Sequence, residues 1–191
     1  MPNPRFYISE VTSYCLAMSA GTMVACAGKE IIMGKQSSLG PIDPQFNNIP
    51  AFNIVAEFNE AKKDLESGNG SFDYWRILLG KYPAAFVKQA IDAINLSDNL
   101  LKEWLKTGML ARDCDDIRVD RICNSLNEHE KPKVHSCYFD LECCIEIDLK
   151  VKRLEDDQNL QDLVRSVHHV CMHTFSNTKT VKMRIRMERL L

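Results

Sequence analysis

Ser19 stands in a run of small residues, Ala17-Met18-Ser19-Ala20-Gly21-Thr22-Met23-Val24-Ala25. An apolar segment, Val11 to Leu16, precedes it. A serine placed where a strand ends and a helix begins can serve as an acyl-transfer nucleophile. The first amides of that helix lack intrahelical acceptors and carry the positive end of its dipole. An oxyanion formed on Ser19 could then be held by the Ala20 amide. The logic is that of a nucleophile elbow, although G-x-S-x-G is absent. The plainer alternative is a serine that merely caps a tightly packed helix, and taken alone S-A-G favours that alternative.

The elements needed to position Ser19 can be read from pattern. Val11 to Leu16 is expected to be a short buried strand, Ala17 to Ala27 a tightly packed helix and Glu30 to Met33 a second strand. Gly34 to Asn48, broken by Gly40-Pro41 and Asp43-Pro44, reads as a loop. Strand–helix–strand favours a parallel sheet and an α/β fold. Helices are expected from Pro50 to about Glu66, from Tyr82 to Ile94, and from a cap at Ser97 to Gly108. Another begins after Asp115 or Asp116, and a short one spans Asp140 to Ile147. Lys150 to Leu154 reads as a strand. The last helix carries Leu160, Leu163, Val164, Val167, Cys171 and Thr174 on one stripe.

Downstream of Ser19 follow Glu30-Ile31-Ile32-Met33 and Ser38-Leu39-Gly40-Pro41-Ile42-Asp43-Pro44-Gln45. The combined string, A-M-S-A-G-T-M-V-A…E-I-I-M…S-L-G-P-I-D-P-Q, resembles the serine dehydrogenase proteinase family. That family is related to the Clp protease proteolytic subunit and to signal peptide peptidase A. The resemblance covers roughly Val11 to Ala56 strongly, and the helices and the Lys150-to-Thr180 region more weakly. It implies a Clp/crotonase-like spiral of ββα units, truncated at the N-terminus and followed by a helical C-terminal region. Residues 1–110 would form the core and 111–191 a helical extension of the same domain. It also implies a serine peptidase with Ser19 as nucleophile and Ala20 at the oxyanion. Gly40, Pro41 and Ile42 would line the substrate groove. Clp-type subunits place a histidine base in the loop after the next strand. Here that loop holds Asp43, and no histidine precedes His129. Signal peptide peptidase relatives use a lysine further along, and Lys62, beside Lys63, stands at a comparable distance. A lysine base must be neutral, which burial favours, so Lys62 is expected to be enclosed and Lys63 solvated. The competing reading is a pair of solvated helix lysines beside Glu60 and Asp64. Asp43 could orient a base, line the groove or simply belong to an Asp-Pro turn. Only about ten residues precede the nucleophile strand, so the family's first ββα units and half of the oxyanion hole are expected to be missing. The other reading is a non-catalytic assembly or scaffold protein on the same fold.

Composition narrows the alternatives. The chain has 191 residues, 45% hydrophobic and 26% charged, with a formal net charge of -2. That is ordinary for a globular domain, and no basic field points to nucleic acid. Eight cysteines without a signal peptide or a CxxC pair read as reduced thiols in a cytoplasmic protein. Membrane association is expected only if a missing N-terminal segment supplies it. His169 and His173 sit four apart on the last helix but read as a solvated face. No metal or cofactor is expected. The expected partners are a peptide or protein substrate and further copies of the chain.

Overall fold

The computed structural model describes residues 11–13, 16–46, 48–68, 70–127 and 138–182. His129 and His135 lie outside them. The chain is a mixed α/β protein. Its centre is a three-stranded parallel sheet of β1 (Val11–Ser13), β3 (Ile31–Met33) and β7 (Val151–Arg153), in the order β1-β3-β7. Ile31, Ile32 and Met33 are all buried. A central parallel strand is covered on both faces, which is why this one is apolar throughout. A second parallel pair joins β2 (Leu16–Ala17) to β4 (Ser38–Leu39). Between β2 and β3 runs α1 (Ala20–Cys26).

β5 (Gln45–Phe46) and β6 (Ile49–Pro50) form a small antiparallel pair that leads into α2 (Ala51–Ser67). The helices α3 (Phe72–Leu79), α4 (Phe86–Thr107), α5 (Asp116–Leu126) and α6 (Leu141–Glu146) follow. A 3-10 turn, Leu154–Asp156, connects β7 to α7 (Gln158–Asn177). Asp115, one of the two residues expected to begin α5, caps it, and Asp140, expected inside the short helix, instead caps α6. Asp115 accepts from the Ile117 amide and Asp140 from the Cys143 amide, relieving helix-start donors that have no other partner.

The main core joins Ile31, Met33, Leu39 and Ile42 to Leu101, Leu105, Leu110, Ile122, Leu126 and Leu149. A smaller apolar cluster, Ala51, Ile54 and Ala90, lies where α2 crosses α4. Two helices expected around Ser97 are instead one helix of 22 residues, α4. Ser97 does not cap, because its hydroxyl donates to the Ile94 carbonyl inside the helix. Its N-terminal half packs on α2 and its C-terminal half on the main core. At its end, a Cβ on Gly108 would lie 3.0 Å from the carbonyl carbon of Ala27. Glycine there lets α4 pass over the end of α1. α3 was not anticipated; Ser71 caps it by accepting from the Tyr74 amide. The segment expected as one strand over Val11 to Leu16 serves two sheets, β1 in the three-stranded one and β2 in the pair with β4, and Leu16 is exposed rather than buried.

Candidate functional site

Ser19 sits between β2 and α1, half-buried. Its backbone has φ 47° and ψ −107°. These angles lie close to those of the first central residue of a type II′ turn, about +60° and −120°. The turn closes through the Gly21 amide, which donates to the Met18 carbonyl at 2.8 Å. Asn48, Ala85 and Asp148 also have positive φ, but Ala85 rests in the ordinary left-handed helical region. A non-glycine residue held as Ser19 is costs about 1–3 kcal/mol. The Ser19 hydroxyl makes no capping hydrogen bond, so the plain N-cap role is excluded. Met23 donates to the Ser19 carbonyl at 3.1 Å. Ala20, the first residue of α1, is exposed, and its amide is one of the helix-start donors without an intrahelical acceptor.

The loop after β4 packs against this turn. The Gly40 amide donates to the Ala17 carbonyl at 2.7 Å. The Thr22 hydroxyl lies 2.9 Å from the Ala17 carbonyl and 2.7 Å from the Gly40 carbonyl, and can donate to either. Thr22 is fully buried. A Cβ on Gly40 would collide with the Met18 sulfur and lie 3.3 Å from the Met18 Cα. Glycine is needed for this approach, and through Met18 the loop touches the residue next to Ser19. Thr22 escaped the sequence reading. Its signal was a β-branched hydroxyl in a helix otherwise made of Ala, Gly, Met, Val and Cys.

The other expected site residues separate into groups. Gly40 is buried, and its amide and carbonyl both serve to fasten the loop. Pro41 is half-buried. Ile42, expected to line the groove, instead turns inward: it is 1% exposed, belongs to the main core, and donates its amide to Leu126. Asp43 is half-buried. Two residues separate it from Gly40, three steps of chain with a reach of at most ~11 Å, so it stays near this loop.

Lys62 is not enclosed. Its side chain is 72% exposed and pairs with Glu66 at 3.8 Å. The reason is the amphipathicity of α2, which turns Ala51, Ile54 and Ala61 inward and leaves Lys62 and Lys63 in solvent. Lys62 also stands eleven residues, about 16 Å of helix rise, beyond Ala51, the α2 residue tied to the loop through the Pro44 carbonyl. Among the described residues, no hydrogen bond or ion pair joins it to Ser19. A cleft of about 410 Å³ does open on α2, between Ile49, Asn53, Glu57, Glu60 and Tyr82, and none of the expected site residues lines it.

The surface around Ser19 is apolar and open: Leu16, Met18 and Val24 are 51%, 44% and 48% exposed. Three buried thiols are unsuited to chemistry. Cys26, Cys123 and Cys144 are buried and free. Burial pushes Cys123 and Cys144 up to about 12 and Cys26 higher still, so none supplies thiolate at neutral pH. Among the described residues, no group of three or more His, Cys, Asp or Glu is placed to hold a metal. Nor is any helix among them long and apolar enough to cross a membrane.

An uncharacterised protein of Methanocaldococcus jannaschii is 38% identical over 88 residues, covering 46% of this chain and 27% of that protein. A second uncharacterised protein of that organism is 45% identical over 42 residues, covering 22% of this chain and 14% of that protein. The matched stretch is therefore less than a third of either relative's length. No solved structure matches the chain. A model of the ClpP-like SDH-type serine proteinases matches residues 9–116. That span holds both β2 and α1 around Ser19 and the Gly40 loop fastened to them, and the chain belongs to the ClpP-like SDH-type serine proteinase family.

Proposed function

We propose that this chain carries the nucleophile of a serine peptidase that cleaves peptide bonds by acyl transfer through Ser19, on a crotonase-type ββα framework. The backbone of Ser19 carries this reading. A serine that caps nothing, held in a costly turn at a helix start, has the geometry a nucleophile needs and a structural serine does not. In the reaction the Ser19 oxygen bonds to the substrate carbonyl carbon. The carbonyl oxygen becomes an oxyanion against the Ala20 amide. The hydroxyl proton passes to a base and then to the departing amine, and water releases the acyl group. Pro41 and the apolar residues Leu16, Met18 and Val24 would contact the peptide. Asp43 would orient the base.

Lys62 is the base in this reading, and to act it must leave Glu66, become enclosed and reach a Ser19 hydroxyl. Supply of Lys62 by another copy of the chain would meet all three needs. The exposure of Lys62 favours the second reading, a non-catalytic assembly protein on the same fold. Labelling by a fluorophosphonate probe separates them. A peptidase gives labelling that Ser19→Ala abolishes, that rises with pH, and that Lys62→Met removes while Lys63→Met does not. Absence of labelling across neutral and alkaline pH, in a chain shown to be folded, sinks the peptidase reading. Labelling that survives Lys62→Met moves the base elsewhere.

A further inference from the structure

α7 is only lightly covered by the rest of the protein. Gln161 is its only buried residue among twenty. Its sequence is nevertheless strongly two-sided. Val170, Leu163, Thr174, Val167, Leu160, Cys171 and Val164 follow one another across one face of the helix. Arg165, His169, Asp162, His173 and Ser166 occupy the other. The body of the protein half-covers Leu160 and Val164 on one side of the apolar face. The other side stays open, with Leu163 63%, Val167 44% and Val170 59% exposed. An apolar stripe this continuous is unusual on a helix that water alone covers.

Charge along the helix indicates its occupant. The entrance to α7 is acidic, with Glu155, Asp156, Asp157 and Asp162. The exit is basic, with Lys179 and Lys182 exposed just beyond its end. Two parallel copies would set acid against acid and base against base. Two antiparallel copies set each acidic entrance against the other's basic exit, and they oppose the helix dipoles as well. Such a pair is closed by a two-fold axis and needs one surface only.

We infer that the Leu163–Val167–Val170 face of α7 docks against the same face of a second copy, antiparallel, with its crossing near Val167 and its ends locked by opposite charge. The inference does not rest on the chemistry of Ser19: a dimer without labelling, or labelling in a monomer, would separate the two.

The test is sedimentation velocity on the full chain over a concentration series at low salt. The wild type is expected to form a dimer. Val167→Asp with Val170→Asp should weaken it at least about tenfold, with helical circular dichroism retained because both side chains are exposed. Two charge variants then test direction. Asp156→Lys with Asp162→Lys cancels the negative charge of the entrance; Lys179→Glu with Lys182→Glu makes both ends acidic. Each alone should dimerise more weakly than the wild type, and their equimolar mixture should dimerise more strongly than either alone. A wild type that remains monomeric at high micromolar concentration overturns the inference. So does a dimer that Val167→Asp with Val170→Asp leaves intact, or a pair of charge variants that fail to restore each other.

Discussion

The Thr22 hydroxyl reaches the Gly40 carbonyl at 2.7 Å, across eighteen residues of sequence. This contact fastens the helix that starts at Ser19 to the loop after β4. It is fully buried, so neither group has water as a substitute. Thr22→Val keeps the shape and removes the donor, leaving the Gly40 carbonyl unsatisfied. The expected loss is about 1–3 kcal/mol, read by denaturant unfolding. Thr22→Ser, which restores the hydroxyl, should recover most of it.

Ser19 offers a sharper test of backbone strain. Alanine ordinarily exceeds glycine in stability within regular structure, by about 0.5–1 kcal/mol. At φ 47° the order should invert, because glycine takes positive φ without penalty. Ser19→Gly is expected to be more stable than Ser19→Ala by roughly 0.5–1 kcal/mol. An alanine variant as stable as the glycine variant would show that the turn relaxes and that Ser19 is not held as described.

Gly40→Ala should act on the nucleophile through Met18. The new Cβ meets the Met18 sulfur, which can swing away, and the Met18 Cα at 3.3 Å, which cannot without moving Ser19. Overpacking of this kind costs about 1–3 kcal/mol. Met18→Ala in the same chain should return part of the stability, since it removes the sulfur, but should not return probe labelling if the backbone has shifted. A double-mutant cycle on unfolding free energies measures the coupling.

Acid should loosen the junction between the sheet and α7. The Glu155 carboxylate accepts from the Lys35 amide at 2.9 Å. That hydrogen bond holds its carboxyl below the usual glutamate value. A depressed folded pKa means that the contribution is present at neutral pH and fades as pH falls below about 4.3. Glu155→Gln should lower the melting temperature at pH 7 and leave it nearly unchanged at pH 3. Equal effects at both pH values would show that the charge is irrelevant to the contact.

Local chemistry was legible in the sequence. Asp115 caps a helix because a carboxylate one residue before a helix meets that helix's own free amides, whatever else the chain does. Ile31 to Met33 forms a strand, and Gly108 ends α4, for similarly short-range reasons. The string around Ser19 identified the family for the same reason: its small residues and Gly40-Pro41 are what a close approach of two segments requires. Tertiary structure decided the rest. Ser97 looks like a cap, yet two packing partners hold α4 straight through it. Ile42 looks like a groove residue, yet pairing of its amide with Leu126 turns it into the core. Lys62 lies at a plausible distance along the chain, but the face that α2 buries against α4 was not readable from spacing, and that face put Lys62 in water. The turn at Ser19 depends on contacts that span eighteen to twenty-three residues of sequence, through Thr22, Gly40 and the β2–β4 pair. A local sequence specifies which residues can be strained; only the distant segments packed against it decide which one is.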